Sequence, residues 1–73
     1  MTVFEYQKLL GTMYREDYRD DLLIAQLLIE VGWAVKRLIN NGTISPFDSY
    51  ENVRELIMDE TKWRDENGIY QRP

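Results

Sequence analysis

The residues of this chain that come nearest to a chemical site are carboxylates. Acidic side chains recur at intervals of three and four positions in the predicted third helix, at Asp48, Glu51, Glu55 and Asp59. Paired carboxylates act as general acid and base or hold a divalent cation, but catalysis needs a pair held across a substrate cleft. A chain of 73 residues in a few helices encloses little concave space. We therefore interpret these four residues as a stripe that binds a protein partner with a basic surface.

The other residue types that carry chemistry are missing. The chain contains no cysteine and no histidine, which removes thiolate nucleophiles, the commonest general base and the commonest ligands for zinc. No segment has the spacing of an EF-hand loop. The sequence thus predicts no enzyme activity, no metal site and no cofactor.

The acidic stripe also has a plain interpretation as solvated surface. Arg54 and an ion pair between Glu60 and Arg64, four positions apart, would neutralise part of its charge. The sequence leaves this alternative open.

Trp33 is the leading candidate for a contact residue. It lies in the polar stripe of the predicted second helix, between Glu30 and Arg37. Tryptophan and arginine are enriched among the residues that dominate interface energies, so these three predict a contact patch. Trp63, in a charged run, is the second candidate anchor. The alternative for Trp33 is a half-buried ring packed against Tyr14, Tyr18 or the C-terminal tail.

Three helices must position these residues. The apolar periodicity and the cap signals predict helices at about residues 2–14, 21–40 and 46–66, followed by a short tail. The cap signals are a Thr2–Glu5 capping box, Asp20 or Asp21, the Asn41-Gly42 pair, and Asp48 followed by Glu51. The expected fold is all-α, a small three-helix antiparallel bundle.

The central helix of that bundle is apolar on nearly every side. Within residues 22–39 the polar residues are Gln26, Glu30, Lys36 and Arg37. Two short neighbours cannot cover such a helix, so we expect a homodimer or a different protein to cover the remainder. We expect Gly32 to allow close helix approach, or else to break the helix. The charged residues make a membrane span unfavourable.

The net charge of −4 disfavours a broad nucleic-acid surface, and the N-terminal residues lack a signal-peptide pattern, which predicts a cytoplasmic protein. We interpret the chain as a single-domain, non-catalytic protein-interaction module. A small acidic regulator or inhibitor of phage type, bound to a larger bacterial protein, fits that description. One alternative is a helix-turn-helix-like DNA-associated regulator with a basic patch at Lys36, Arg37 and Arg54. Another is a structural assembly subunit.

Overall fold

The computed structural model describes residues 1–66, which form three α-helices. Helix α1 spans Val3–Thr12, α2 spans Leu22–Asn40 and α3 spans Tyr50–Glu66. α2 packs against both other helices and is therefore the central one. The predicted small all-α bundle is confirmed, and within residues 1–66 the only β pairing is an isolated bridge between Thr2 and Ser49. The tail expected after residue 66 lies outside the described residues.

The start of α1 follows the predicted capping box. The Thr2 hydroxyl oxygen accepts a hydrogen bond from the Glu5 N–H at 3.1 Å, and the Thr2 N–H donates to the Glu5 carboxylate at 2.8 Å. The hydrogen bond from the Thr2 backbone is the main reason why the pKa of Glu5 is lowered. Because a good N-cap stabilises a helix by about 1 kcal/mol, this local signal sets where α1 begins.

The end of the first helical segment differs from the prediction. A π-helical turn, Met13–Asp17, continues α1, and its last hydrogen bond joins the Tyr18 N–H to the Met13 carbonyl at 2.9 Å. A π turn closes between residues five positions apart, and Met13 and Tyr18 both pack against the core. The wider turn thus brings both side chains to the core, and the connection to α2 is shorter than expected.

α2 has the termini that the sequence predicts. The Asp21 carboxylate accepts from the Ile24 N–H at 3.2 Å and caps the start. At the other end Gly42 has a φ of +79°, and the Thr43 N–H donates to the Leu38 carbonyl at 2.9 Å. Glycine suits this position because other residues pay a steric cost at positive φ.

The expectations for Gly32 are wrong. α2 continues through this position without a break, so the turn that a helix-turn-helix requires there is not formed. A Cβ atom built on Gly32 would meet no atom of the described residues within 4 Å, so neither α1 nor α3 approaches closely enough to require a glycine there. The glycine is a weak point in a regular helix rather than a packing contact.

α3 begins at Tyr50, four positions later than the predicted start at residue 46. The Asp48 carboxylate was expected to open the helix, but it accepts from the Ser45 N–H at 2.9 Å and closes a turn. The carbonyls of this turn accept hydrogen bonds from the start of α1. The Val3 N–H donates to the Asp48 carbonyl and the Phe4 N–H to the Pro46 carbonyl, each at 2.9 Å. The free N–H groups at a helix start need such partners, so the turn remains outside the helix.

The core joins all three helices. Its largest fully buried side chains are Val3, Val35 and Ile57, one from each helix. The rings of Tyr6 and Tyr50 stack with their centroids 4.0 Å apart and tie α1 to α3. Burial, together with the neighbouring Tyr50 side chain, raises the pKa of Tyr6.

One end of α2 stays uncovered by the described chain. Leu22, Leu23 and Leu27 are 80%, 79% and 53% exposed, and we call these three the leucine patch. The expectation that two companion helices leave part of the central helix uncovered therefore holds for residues 1–66. No helix among these residues is long and apolar enough to cross a membrane.

Candidate functional site

Three of the predicted contact residues come together where α2 meets α3. Arg37 projects from α2, and the central carbon of its guanidinium lies 5.4 Å from the centre of the Trp63 ring on α3. Trp33 lies one helical turn before Arg37 on α2, with half of its surface exposed. We call Trp33, Lys36, Arg37 and Trp63 the tryptophan face.

An ion pair fixes the position of Arg37. Its Nε lies 2.6 Å from Oε1 of Glu60, a largely buried carboxylate one turn before Trp63. Half of the Arg37 side chain remains exposed, so the pair itself contributes little to stability. Its effect is geometric, because the guanidinium is held between the carboxylate and the Trp63 ring before any partner arrives.

Lys36 holds a similar position beside Trp33. Its ammonium nitrogen lies 5.5 Å from the centre of the Trp33 ring, within the range of a cation–π contact. Trp33 and Trp63 therefore each have a cation beside the ring, and 50% and 42% of their respective surfaces are exposed to solvent. This arrangement joins apolar surface to positive charge.

Two grooves meet at Arg37. The first, of about 460 Å³, we call the basic groove, and it is lined by Trp33, Lys36, Arg37, Asn40, Asn41 and Arg64. The second, of about 450 Å³, we call the mixed groove, and it is lined by Arg37, Leu38, Leu56, Asp59, Glu60 and Trp63. Both are open depressions in the surface.

The predicted acidic stripe divides into parts with different surroundings. Asp48 closes the turn before α3. Glu51 accepts from the Ser49 hydroxyl at 2.7 Å and pairs with the N-terminal ammonium at 3.1 Å. Glu55 is exposed on α3, and Asp59 lines the mixed groove. Two of the four carboxylates thus already have partners within the fold.

The surroundings of Glu51 explain its acidity. The hydrogen bond from Ser49 contributes most, followed by the backbone of Glu51 itself and by the N-terminal ammonium, and together they lower the pKa of Glu51 to about 2. A carboxylate held in this way stays charged at neutral pH.

Glu30 is the one predicted residue of α2 that does not join the basic groove. It is partly buried, while the groove lies on the side of α2 that carries Trp33, Lys36 and Asn40. Of the predicted patch, Trp33 and Arg37 thus line the basic groove together, and Arg37 also contacts α3.

Sequence reasoning missed Arg64 and the true partner of Glu60. The spacing predicted an ion pair between Glu60 and Arg64 within α3, but Glu60 pairs with Arg37 of α2. The basic patch includes Arg64 in place of Arg54. Only the packing of α2 on α3 reveals both facts, because spacing within one helix gives no information about a partner on another helix.

Among the described residues, no group of three or more acidic side chains is arranged to hold a metal ion. A comparison with protein-family models, with curated proteins and with solved structures finds no match for this chain.

Proposed function

We propose that this chain is a non-catalytic protein-interaction module that contacts a larger protein through the tryptophan face. The observation that supports the proposal is the pair of exposed tryptophans on adjacent helices, with Arg37 held by Glu60 against the Trp63 ring. Interface hot spots are enriched in these residue types. A small acidic regulator or inhibitor of phage type that occupies a surface of a bacterial protein is the class of molecule we infer.

Preorganisation is the physical argument for binding. Immobilising a long side chain costs roughly 0.5–1.5 kcal/mol when a complex forms. The ion pair with Glu60 and the Trp63 ring already restrict Arg37, so part of that cost has been met in the free protein. Asp59 lines the mixed groove and Glu55 is exposed on the same helix. Both offer acidic contacts to a basic part of the same partner.

The test is affinity capture from the native host with the unmodified chain, followed by calorimetry with the purified partner. Trp33→Ala should weaken binding by about thirtyfold, as truncating a hot-spot residue costs at least about 2 kcal/mol. Phe47→Ala is the matched control, because Phe47 is an exposed aromatic on the turn before α3, away from the grooves. Its affinity should stay within about threefold of the unmodified chain.

Two results would contradict the proposal. One is equal binding by the unmodified chain and Trp33→Ala. The other is an unfolded Trp33→Ala variant in far-UV circular dichroism, which would place this ring in the core.

We propose a second copy of the chain as the occupant of the leucine patch. Arg19, Asp20 and Asp21 precede the patch directly, and a two-fold contact that sets Arg19 of one copy against Asp20 of the other would pair opposite charges at its edge. Three leucines offer less than the roughly 800 Å² per partner of a standard interface, so the expected dimer is weak. Sedimentation equilibrium should show the apparent mass rising with concentration, and Leu23→Glu should abolish the rise. A monomer at every concentration would reject the dimer.

A further inference from the structure

The basic groove is lined by cationic and amide side chains and by the Trp33 ring. Among the residues that the structure describes, its charged and amide side chains are three cations and two amides, and none of the lining residues is acidic. We infer that this groove binds a carboxylate side chain on an acidic segment of the partner protein, a specific inference that rests on the proposed function above.

Arg64 supplies the first observation. Its Nε atom is buried and has no hydrogen-bond partner among the described residues. Native proteins rarely leave a buried donor without an acceptor. Because Nε itself is closed to solvent, a carboxylate in the groove would bind the Arg64 guanidinium through its terminal NH₂ groups, and Arg64 lines the groove.

Asn41 supplies the second observation. Its side-chain oxygen accepts hydrogen bonds from the Thr43 N–H at 3.0 Å and from the Thr43 hydroxyl at 2.6 Å. The backbone N–H can only donate, which identifies the atom it meets as the amide oxygen. The NH₂ group of Asn41 is therefore the end left to donate, and Asn41 lines the groove beside Asn40.

Charge supplies the third observation. Glu60 compensates Arg37 from the side of the mixed groove, whereas no described carboxylate lines the basic groove beside Lys36 and Arg64. Two cations beside donor amides favour an anion with several acceptor positions. The half-exposed Trp33 ring at the rim favours an apolar residue next to that anion, so the ligand is a peptide that combines both.

The size of the charged region favours a protein over a nucleic acid. Phosphate binding gains affinity by engaging several cations along a strand, whereas the basic groove offers a local cluster on a chain of net charge −4. Beyond Arg37 the surface turns acidic at Asp59. A phosphate strand would run onto that carboxylate, while a single Asp or Glu side chain stays within the groove.

The experiment measures binding of a short fluorescein-labelled peptide that alternates Glu with Leu, by fluorescence anisotropy with the full chain. Lys36→Gln and Arg64→Gln should each weaken binding about tenfold, because one charge-assisted hydrogen bond is worth about 1.5–3 kcal/mol. Lys8→Gln is the matched control. The Lys8 ammonium lies 5.0 Å from the centre of the Phe4 ring, a contact like that of Lys36 with Trp33. The substitution Lys8→Gln removes the same charge as Lys36→Gln, but Lys8 lies on α1, outside the groove lining.

The same peptide with Gln in place of every Glu should bind at least tenfold more weakly. Equal binding of the two peptides, or an equal effect of Lys8→Gln and Lys36→Gln, would overturn the inference. Tighter binding of a single-stranded DNA oligonucleotide would also overturn it, in favour of a phosphate ligand. If Arg64→Gln does not fold, the binding of Lys36→Gln alone tests the inference. Lys36 is exposed, so its substitution is expected to leave the fold intact.

Failure of this inference is distinguishable from failure of the proposed function. If binding of the captured partner requires Trp33 but is unchanged by Lys36→Gln and Arg64→Gln, the acidic ligand is rejected, whereas the proposal that the partner contacts the tryptophan face is retained. If the partner tolerates all three substitutions, both are rejected.

Discussion

Ile57→Ala should remove a large part of the stability of this protein. Ile57 is 1% exposed, and it lies in a core cluster that also holds Val3 and Val35. Truncating a buried isoleucine to alanine costs about 2–5 kcal/mol. A domain of this size has on the order of 4–11 kcal/mol of stability in total, so much of it depends on this side chain. Urea unfolding followed by circular dichroism measures the loss.

The matched control is the next residue on the same helix. Met58 is also large and apolar, but 57% of it is exposed. Met58→Ala should change the free energy of unfolding by no more than about 0.5 kcal/mol. Similar losses for the two variants would mean that α3 does not face the core as described.

Two glycine substitutions should change stability in opposite directions. Gly42→Ala should lower the free energy of unfolding by about 1–2 kcal/mol, because alanine is strained at the φ of +79° that ends α2. Gly32→Ala should raise it by about 0.5–1 kcal/mol, since the position is helical and the added Cβ meets no atom within 4 Å.

Thermal and urea unfolding of the two single variants checks this pair. Each substitution adds the same methyl group, and at both positions it meets no described atom within 4 Å, so we expect the difference to come from backbone conformation. A loss of stability in Gly32→Ala would point to a close helix contact at that position, as the sequence first suggested.

Local signals were enough to predict much of the fold. The Thr2–Glu5 capping box, the Asp21 cap and the end of α2 at Asn41-Gly42 are all formed by residues within a few positions of one another. Such hydrogen bonds depend little on the rest of the chain, which is why their spacing alone identified them.

The parts that the sequence did not predict depend on distant residues. The turn before α3 stays outside the helix because its carbonyls accept hydrogen bonds from the first N–H groups of α1. Phe47, which falls within the predicted helix at residues 46–66, accordingly lies in the turn and is exposed. Nothing within a few positions of Asp48 signals that arrangement.

The candidate site shows the same division. Trp33, Arg37 and Trp63 were identified by residue type, as types favoured at interfaces. Their grouping around Glu60, and the place of Arg64 in the basic groove, follow from how α2 crosses α3. The spacing of Glu60 and Arg64 matched a common local pair, so it gave the wrong partner.

The hydrogen bonds between the turn before α3 and the start of α1 also constrain how the molecule folds. They join the start of α1 to a turn more than 40 positions later, and the nearby contact of Met1 with Glu51 spans 50 positions. The N–H groups of Val3 and Phe4 gain these protein partners only when the turn has docked, so we expect the closing of this long loop to slow folding. For the same reason the first and last helices are expected to melt as one cooperative unit.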